Sequence, residues 1–559
     1  MLIVRNGLVV DGTGSPAFPG TVVCDGDKVC DVVPGTEFPS GAGSDDTVVD
    51  AIGCLVTPGF VDAHSHSDAY LVLEPQAPSK LSQGVTTEIN GQCGGSVAPR
   101  YGEARLSSDW ASLLGDMLTW RSMRQYRECL EKARPAINTI QFVGHNTLRS
   151  SVIGYAAKRA TPETLAEMRR LLEESLDEGG WGLTTGLIYQ PGKYSDSAEV
   201  TALAETAAKR GGMYATHMRS EGDSILEAID EVIDLAKATG IRAEISHLKT
   251  SGRRNWHKID AVLEKIQGAI DAGLIVGSDR YPYCAAGTDL DVVFPDWAGE
   301  GGIVAECERL ADLATRARIA AELDASDRDW STVMIGGTWS PETACFSGKT
   351  VAEILGNRES EIGNWDSVAR GSWSVARESG VGNRELGIEN WKSAGELVCD
   401  ILEKDECRTG AFFFGMSEDN LDRILSMPWI VPGSDASLRA PWGPLGKDHP
   451  HPRAYGTMPE FYRRLTGRAG RPAICSREEA IARMTSVPAK RFGIRGRGVL
   501  EKGAFADIAV WREDAFASTA TYVKPHAFAS GMEAVVVNGV LSFAAGSFTG
   551  SRAGRFLAR

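Results

Sequence analysis

Surplus positive charge is missing from this chain. Its 559 residues carry 59 Lys and Arg against 74 Asp and Glu, a formal net charge of −15. Binding to nucleic acid or to anionic lipid needs a positive field, so neither is the expected partner. Long apolar runs are missing too, and nothing approaches the length of a membrane span. Arg5 and Asn6 interrupt the first apolar stretch well short of a signal-peptide core. The 11 cysteines show no paired, small-scaffold spacing. Reduced thiols in a cytoplasmic protein are therefore expected rather than a disulfide framework. Histidine is scarce, at nine residues, so any clustering of it carries information. No internal repeat is visible.

What is present is an ordinary globular composition, 43% hydrophobic and 24% charged, with 62 glycines to serve many turns. Both ends of the chain read as short strands. Met1–Val10, Gly20–Val33 and Thr47–Leu55 at the start are answered by Gly503–Arg512 and Met532–Phe543 at the end, the latter carrying an Asn538-Gly539 hairpin signal. Residues 1–56 plus 496–559 are expected to form one small discontinuous β-sandwich domain.

Between them, over 57–495, short apolar strands alternate with amphipathic helices. The strands fall at Gly59–Ala63, Thr86–Asn90, Thr139–Val143, Gly182–Thr185, Met213–Thr216, Ala243–Ser246, Ile275–Ser278 and Trp429–Gly433. Helices are expected at Pro162–Asp177, Ser195–Lys209, Ser224–Thr239 and Trp256–Ala272. Eight strands with helical crossovers predict an α/β fold, a (β/α)8 TIM-type barrel, over a doubly wound open sheet. The connection from Tyr283 to Asp435 is far too long for a loop. An inserted lid subdomain is expected at about 287–425, with Arg358–Asn390 as a surface excursion.

Metal-ligand side chains sit just past the predicted strands, where active sites of this fold lie. The first strand ends in Asp62-Ala63-His64-Ser65-His66. Side chains alternate along a strand, so His64 and His66 share one side. Cys93 follows the second strand among glycines, His217 and His247 follow the fifth and sixth, and Asp435 follows the eighth. Singly, each is as easily a capped, solvated or core residue. Together, His64, His66, Cys93, His217, His247 and Asp435 point to a metal site of imidazole, thiolate and carboxylate ligands.

These motifs also resemble a known family. VTPGFVDAHSH (Val56–His66) is similar to the entry signature of the amidohydrolase superfamily. GQCGGSVAP (Gly91–Pro99), GLTTGLIYQPG (Gly182–Gly192), ATHMRSEGD (Ala215–Asp223), ISHLKTSG (Ile245–Gly252), SDRYPY (Ser278–Tyr283), HPRAYGTMPEF (His451–Phe461) and the tail Met484–Trp511 resemble its D-aminoacylase branch, the N-acyl-D-amino-acid deacylases. The likeness is weakest over 300–410. It implies one tight Zn²⁺ on Cys93, His217 and His247, and a second, weaker position on His64 and His66 with Cys93 bridging and Asp435 close by. It also implies zinc-dependent hydrolysis of the amide of an N-acyl-D-amino acid, a small-molecule partner bearing a carboxylate. The oligomeric state is left open.

In such a site Asp435 is the expected general base, and Tyr189 either donates to the oxyanion or packs the barrel rim. Lys249, Tyr283 and Arg453 stand at the family's carboxylate-binding positions. On their residue types alone they read first as a solvated Lys, a core Tyr and a surface Arg. The same site could instead open a cyclic amide or cleave a carbon–carbon bond of an amino-acid-like substrate. Three departures from the family pattern, Gly95 for a bulky aromatic, Ala436 after the base, and the extra segment Ser437–Lys447, predict a substrate larger than a simple N-acetyl amino acid.

Overall fold

The computed structural model describes residues 1–35, 46–106, 108–356 and 391–559. Arg358–Asn390, read above as a surface excursion, lies outside the described residues.

Eight parallel strands occupy the predicted places: Phe60–Asp62, Val85–Asn90, Asn138–Gln141, Gly182–Gly186, Met213–His217, Arg242–Ile245, Val276–Arg280 and Ile430–Pro432. The first three pair in one ladder. Val143–Gly144 and the remaining five pair in a second. The third strand breaks at Phe142 and runs straight on into Val143–Gly144, so the chain itself spans the first joint. Main-chain hydrogen bonds cross both joints, from Trp181 N to Gln141 O at 2.8 Å and from Ala63 N to Pro432 O at 3.0 Å. Nearly every strand residue is buried on both faces, as expected of a parallel sheet covered by helices.

The helices follow from local chemistry. Pro162–Asp177 begins on Thr161, whose side chain accepts from Thr164 N, with Pro162 in the first turn. A cap of this kind contributes about 1 kcal/mol. Met168, Leu171, Leu172, Ser175 and Leu176 then form one buried stripe at helical spacing. Ile225–Thr239 buries Ile225, Ile229, Val232, Ile233 and Ala236 and ends on left-handed Gly240. No helix among the described residues is long and apolar enough to cross a membrane.

Both chain ends build one nine-stranded sheet, in which Leu55–Pro58 pairs antiparallel with Ile508–Trp511. The sequence suggested a sandwich of separate layers; the ladder is continuous instead. The reason lies at Asn6, whose φ of 62° interrupts the strand Leu2–Val9. Before this corner the strand pairs with Thr47–Asp50, and after it with Leu55 and Val56. A bulged strand bends, so one sheet wraps a single core of Val4, Val9, Val22, Val56, Ile508, Val510 and Val536.

The long connection folds on its own core. Ala285–Asp289 and Val333–Ile335 flank Gly410–Phe414 in an antiparallel sheet. Leu310, Ile319, Leu397, Val398 and Ile401 from three helices cover it. Leu421, Ile424 and Leu425 of the following helix, Glu418–Leu425, pack in the barrel core instead.

Candidate metal centre

Cys93 is the meeting point of the barrel mouth. Its Sγ lies 3.4 Å from His64 Nε2, 3.4 Å from His247 Nε2 and 3.9 Å from His217 Nδ1. Two sets of ligand atoms each fall within 4.8 Å of one another: His64, His66, Cys93 and Asp435, and then Cys93, His217 and His247. Cys93 belongs to both. The backbone is bent to bring this about. Cys93, His247 and Asp435 are non-glycine residues at φ 53°, 38° and 48°, a region costly for side chains and held only where the surroundings insist on it.

The electrostatics fit a cation. Burial alone would push the Cys93 thiol up, but the His64 and His247 charges and hydrogen bonds from His217 and His247 hold it well below its ordinary value. Burial would likewise raise Asp435, yet the Arg453 guanidinium, with His247, His66 and His64, keeps its carboxyl well below the usual range. A thiolate, four imidazoles and a carboxylate converge on one spot, with Arg453 on Asp435 Oδ2 and Lys249 beside His247 Nδ1 at its edge. That donor set suits a thiophilic divalent metal such as zinc.

Two residues that the sequence reading did not single out orient the ligands. Asp279, at the end of the seventh strand, has Oδ2 3.2 Å from His64 Nδ1, and its Oδ1 accepts from His247 N at 3.0 Å. A hydrogen on His64 Nδ1 leaves the Nε2 lone pair facing Cys93. Glu221 stands behind His247, with Oε1 3.0 Å from Nδ1, an atom that Lys249 Nζ also approaches. Its other oxygen lies 3.7 Å from His217 Nε2. Their signal was present in the SDRYPY and ATHMRSEGD segments, where each is an acid close to a ligand strand.

A third group missed in the sequence seals the joint between first and last strands. Lys80 is fully buried and donates to Asp62 Oδ2 at 2.7 Å and to Ser65 Oγ, Ser434 Oγ and Ala436 O, each at 3.0 Å. Glu88 Oε2 accepts from the hydroxyls of Ser65 and Ser67, both at 2.8 Å.

The remaining expected residues are distributed around the rim. Asp435 Oδ1 is 3.1 Å from His66 Nε2, and its Oδ2 is 2.8 Å from Arg453 Nη1. Arg453 is buried, not a surface residue. It also donates to Gly287 O at 3.2 Å and lies over the Tyr281 ring at 4.6 Å. Lys249 is buried as well and ion-pairs with Glu221, with Nζ 2.8 Å from His247 Nδ1. Tyr189 packs edge-on to His217 with ring centres 4.9 Å apart, and its hydroxyl is 3.4 Å from Thr288 Oγ1. Burial and the nearby Cys93 raise the Tyr189 phenol, keeping it a hydrogen-bond donor. Tyr283 stands apart, against His451 at 5.4 Å between ring centres and against Gly456.

Comparison with known proteins bears on this geometry. A family model described as "Amidohydrolase family" matches residues 47–332 and 412–543, pausing within the inserted segment. An N-acyl-D-glutamate deacylase of Alcaligenes xylosoxydans xylosoxydans is 31% identical, over 97% of this chain and 93% of its own. A D-aminoacylase structure, studied for the role of its binuclear metal centre, superposes with a TM-score of 0.78 at 29% identity, covering 100% of this chain and 99% of that one. An N-acyl-D-glutamate deacylase from Bordetella bronchiseptica, solved with zinc and a phosphonate mimic of the tetrahedral intermediate, gives 0.78 at 28% identity over the same shares.

Proposed function

Because the chain belongs to the amidohydrolase family, in its D-aminoacylase branch, we propose that it hydrolyses the amide bond of an N-acyl-D-amino acid, releasing a carboxylate and an amine. The observation that carries this reading is the sharing of Cys93 Sγ between two ligand sets, with Asp435 in one of them. An acid beside a thiolate-and-imidazole centre is what metal-assisted amide hydrolysis needs. The solved relatives lend it support, one by its zinc and its tetrahedral mimic and another by its binuclear centre.

Cys93, His217 and His247 would hold one Zn²⁺ tightly. His64 and His66, with Cys93 and Asp435, would hold a second more weakly. The bound ion would lower the pKa of a water and polarise the amide carbonyl. Asp435 then takes a proton from the attacking water and returns it to the leaving amine. Tyr189 donates a hydrogen bond to the oxygen on which charge develops. Arg453 carries the two-pronged donor fork that suits the substrate carboxylate. As it turns toward that carboxylate it loosens its grip on Asp435, so substrate binding and release of the base are linked. Lys249 sits behind His247 and adds positive charge, and Tyr283 walls the Arg453 side at longer range.

The chain divides, on this reading, into a β domain of residues 1–56 and 496–559 and a barrel of residues 57–495. Within the insertion expected at about 287–425, the described residues before Glu418 would form a lid, delivering Gly287 and Thr288 to the rim. The 11 free thiols suit the cytoplasm. The partner is a small carboxylate-bearing molecule rather than nucleic acid or membrane.

The test is a hydrolysis screen of N-acyl D- and L-amino acids, repeated with Asp435→Asn. Release of a D-amino acid by the wild type, reduced at least a hundredfold in the variant, is expected. Consumption of substrate with no amino acid released would turn the reading toward cyclic-amide or carbon–carbon chemistry. Wild-type turnover in Asp435→Asn would remove Asp435 from proton transfer.

A further inference from the structure

Two consecutive glycines follow Cys93, and the fold requires only one of them. Gly94 has a φ of +76°, and a β carbon there would fall 2.6 Å from both Asn146 Oδ1 and Gly186 N. No other residue fits. Gly95 has no left-handed φ, and its β carbon would meet only Gln92 O at 3.9 Å among the described residues. It is exposed, two residues from the thiolate that both ligand sets share. Glycine costs backbone entropy wherever another residue fits. Neither conformation nor packing accounts for it here. What its missing side chain leaves is room at the mouth.

The direction of that room follows from the barrel order. Asn146 N donates to Gly94 O at 2.9 Å, and Gly144 and Gly186 pack directly against the loop Cys93–Gly95. Gly95 therefore stands over the ends of the third and fourth strands. Arg453 reaches Asp435 and Gly287, past the eighth and seventh strands, across the barrel. A substrate held by its carboxylate at Arg453 and by its amide at Cys93 must extend its acyl group toward Gly95. We propose that Gly95 keeps open an acyl subsite, making bulky acyl groups such as arylacetyl substrates of this enzyme. The inference rests on the deacylase reading above.

The experiment compares kcat/KM for the N-phenylacetyl and N-acetyl derivatives of one D-amino acid, with bound metal counted in every variant. A side chain filling an apolar subsite changes discrimination by roughly 10–200-fold. The ratio of phenylacetyl to acetyl should therefore fall tenfold or more in Gly95→Phe. Gly95→Ala adds one carbon into open space and carries the test should the larger variant misfold; its ratio should fall at least twofold. A ratio unchanged in metal-replete Gly95→Phe, or unchanged in Gly95→Ala if the Phe variant does not fold, overturns this inference and leaves deacylation standing. Failure of the wild type to release amino acid from either derivative, across a panel of D-amino acids, overturns both.

Discussion

The barrel mouth and the barrel seam are two buried polar clusters within a few residues of each other, and they solve the same problem differently. The seam gathers Asp62 and Glu88 around a cation of its own, the Lys80 ammonium. The mouth gathers Cys93, Asp435 and four imidazoles, with Arg453 on Asp435 and Lys249 beside His247 at its edge. A third group, Asp68, shows what happens to a buried acid given neither. Its Oδ1 accepts from Gln141 Nε2 at 2.6 Å, its other oxygen has no hydrogen-bond partner among the described residues, and burial pushes its carboxyl up to about 6. It holds its proton up to about pH 6 instead. The difference separates structure from function: a cluster centred on a built-in cation fastens the fold, and one centred on a thiolate and imidazoles is shaped for a cation from outside.

Mutations should pull the two clusters apart. Lys80→Met leaves two carboxylates buried without their cation, which typically costs about 3–5 kcal/mol. Urea unfolding should register that loss whether or not metal is supplied. Equal stability of the variant and the wild type would mean that the seam does not fasten the barrel. Cys93→Ala should behave in the opposite way, with turnover down by about a thousandfold or more and a folded barrel by circular dichroism. A variant that unfolds outright would merge the two clusters into one.

Glu221→Gln probes the boundary between them, since Glu221 touches ligands without being one. Loss of such an outer partner typically weakens metal binding about 10–100-fold. Chelator competition measures it, and Glu221→Asp should recover part of the affinity. An unchanged affinity would reduce Glu221 to a partner of Lys249.

The smallest effect concerns Asp68. Between the unfolded value near 3.8 and the folded value of about 6, the native carboxyl holds a proton that the unfolded chain has released. Stability from this group is therefore full at low pH and falls as pH rises through that window. Asp68→Asn should flatten that part of the profile of urea midpoint against pH. A profile identical to wild type would show that Asp68 is ionised in the native protein.

Much of this was legible in the sequence because the signals were local. The helix Pro162–Asp177 was expected at its observed bounds, since Thr161, Pro162 and the apolar stripe specify it. All eight strands, and the ligand-type residues at their ends, were placed by alternation of strand and helix and by residue type. The seam was not legible. Lys80 looks like any surface lysine until the short helix Pro78–Leu81 turns it under the first and last strands, which lie about 370 residues apart in sequence. Burial of Arg453 was hidden for the same reason, because its partners Asp435, Gly287 and Tyr281 come from different connections. The sandwich expected of the chain ends became one wrapped sheet through the corner at Asn6, which reads as an ordinary Asn-Gly turn signal.

Cys93 is proposed to seat the metal for both ligand sets. Elemental analysis of wild type and Cys93→Ala, purified without chelator from zinc-supplemented cells, tests it most directly. The account predicts at least one equivalent of metal in the wild type and less than about a tenth in the variant. Metal retained by Cys93→Ala at the wild-type level would contradict it.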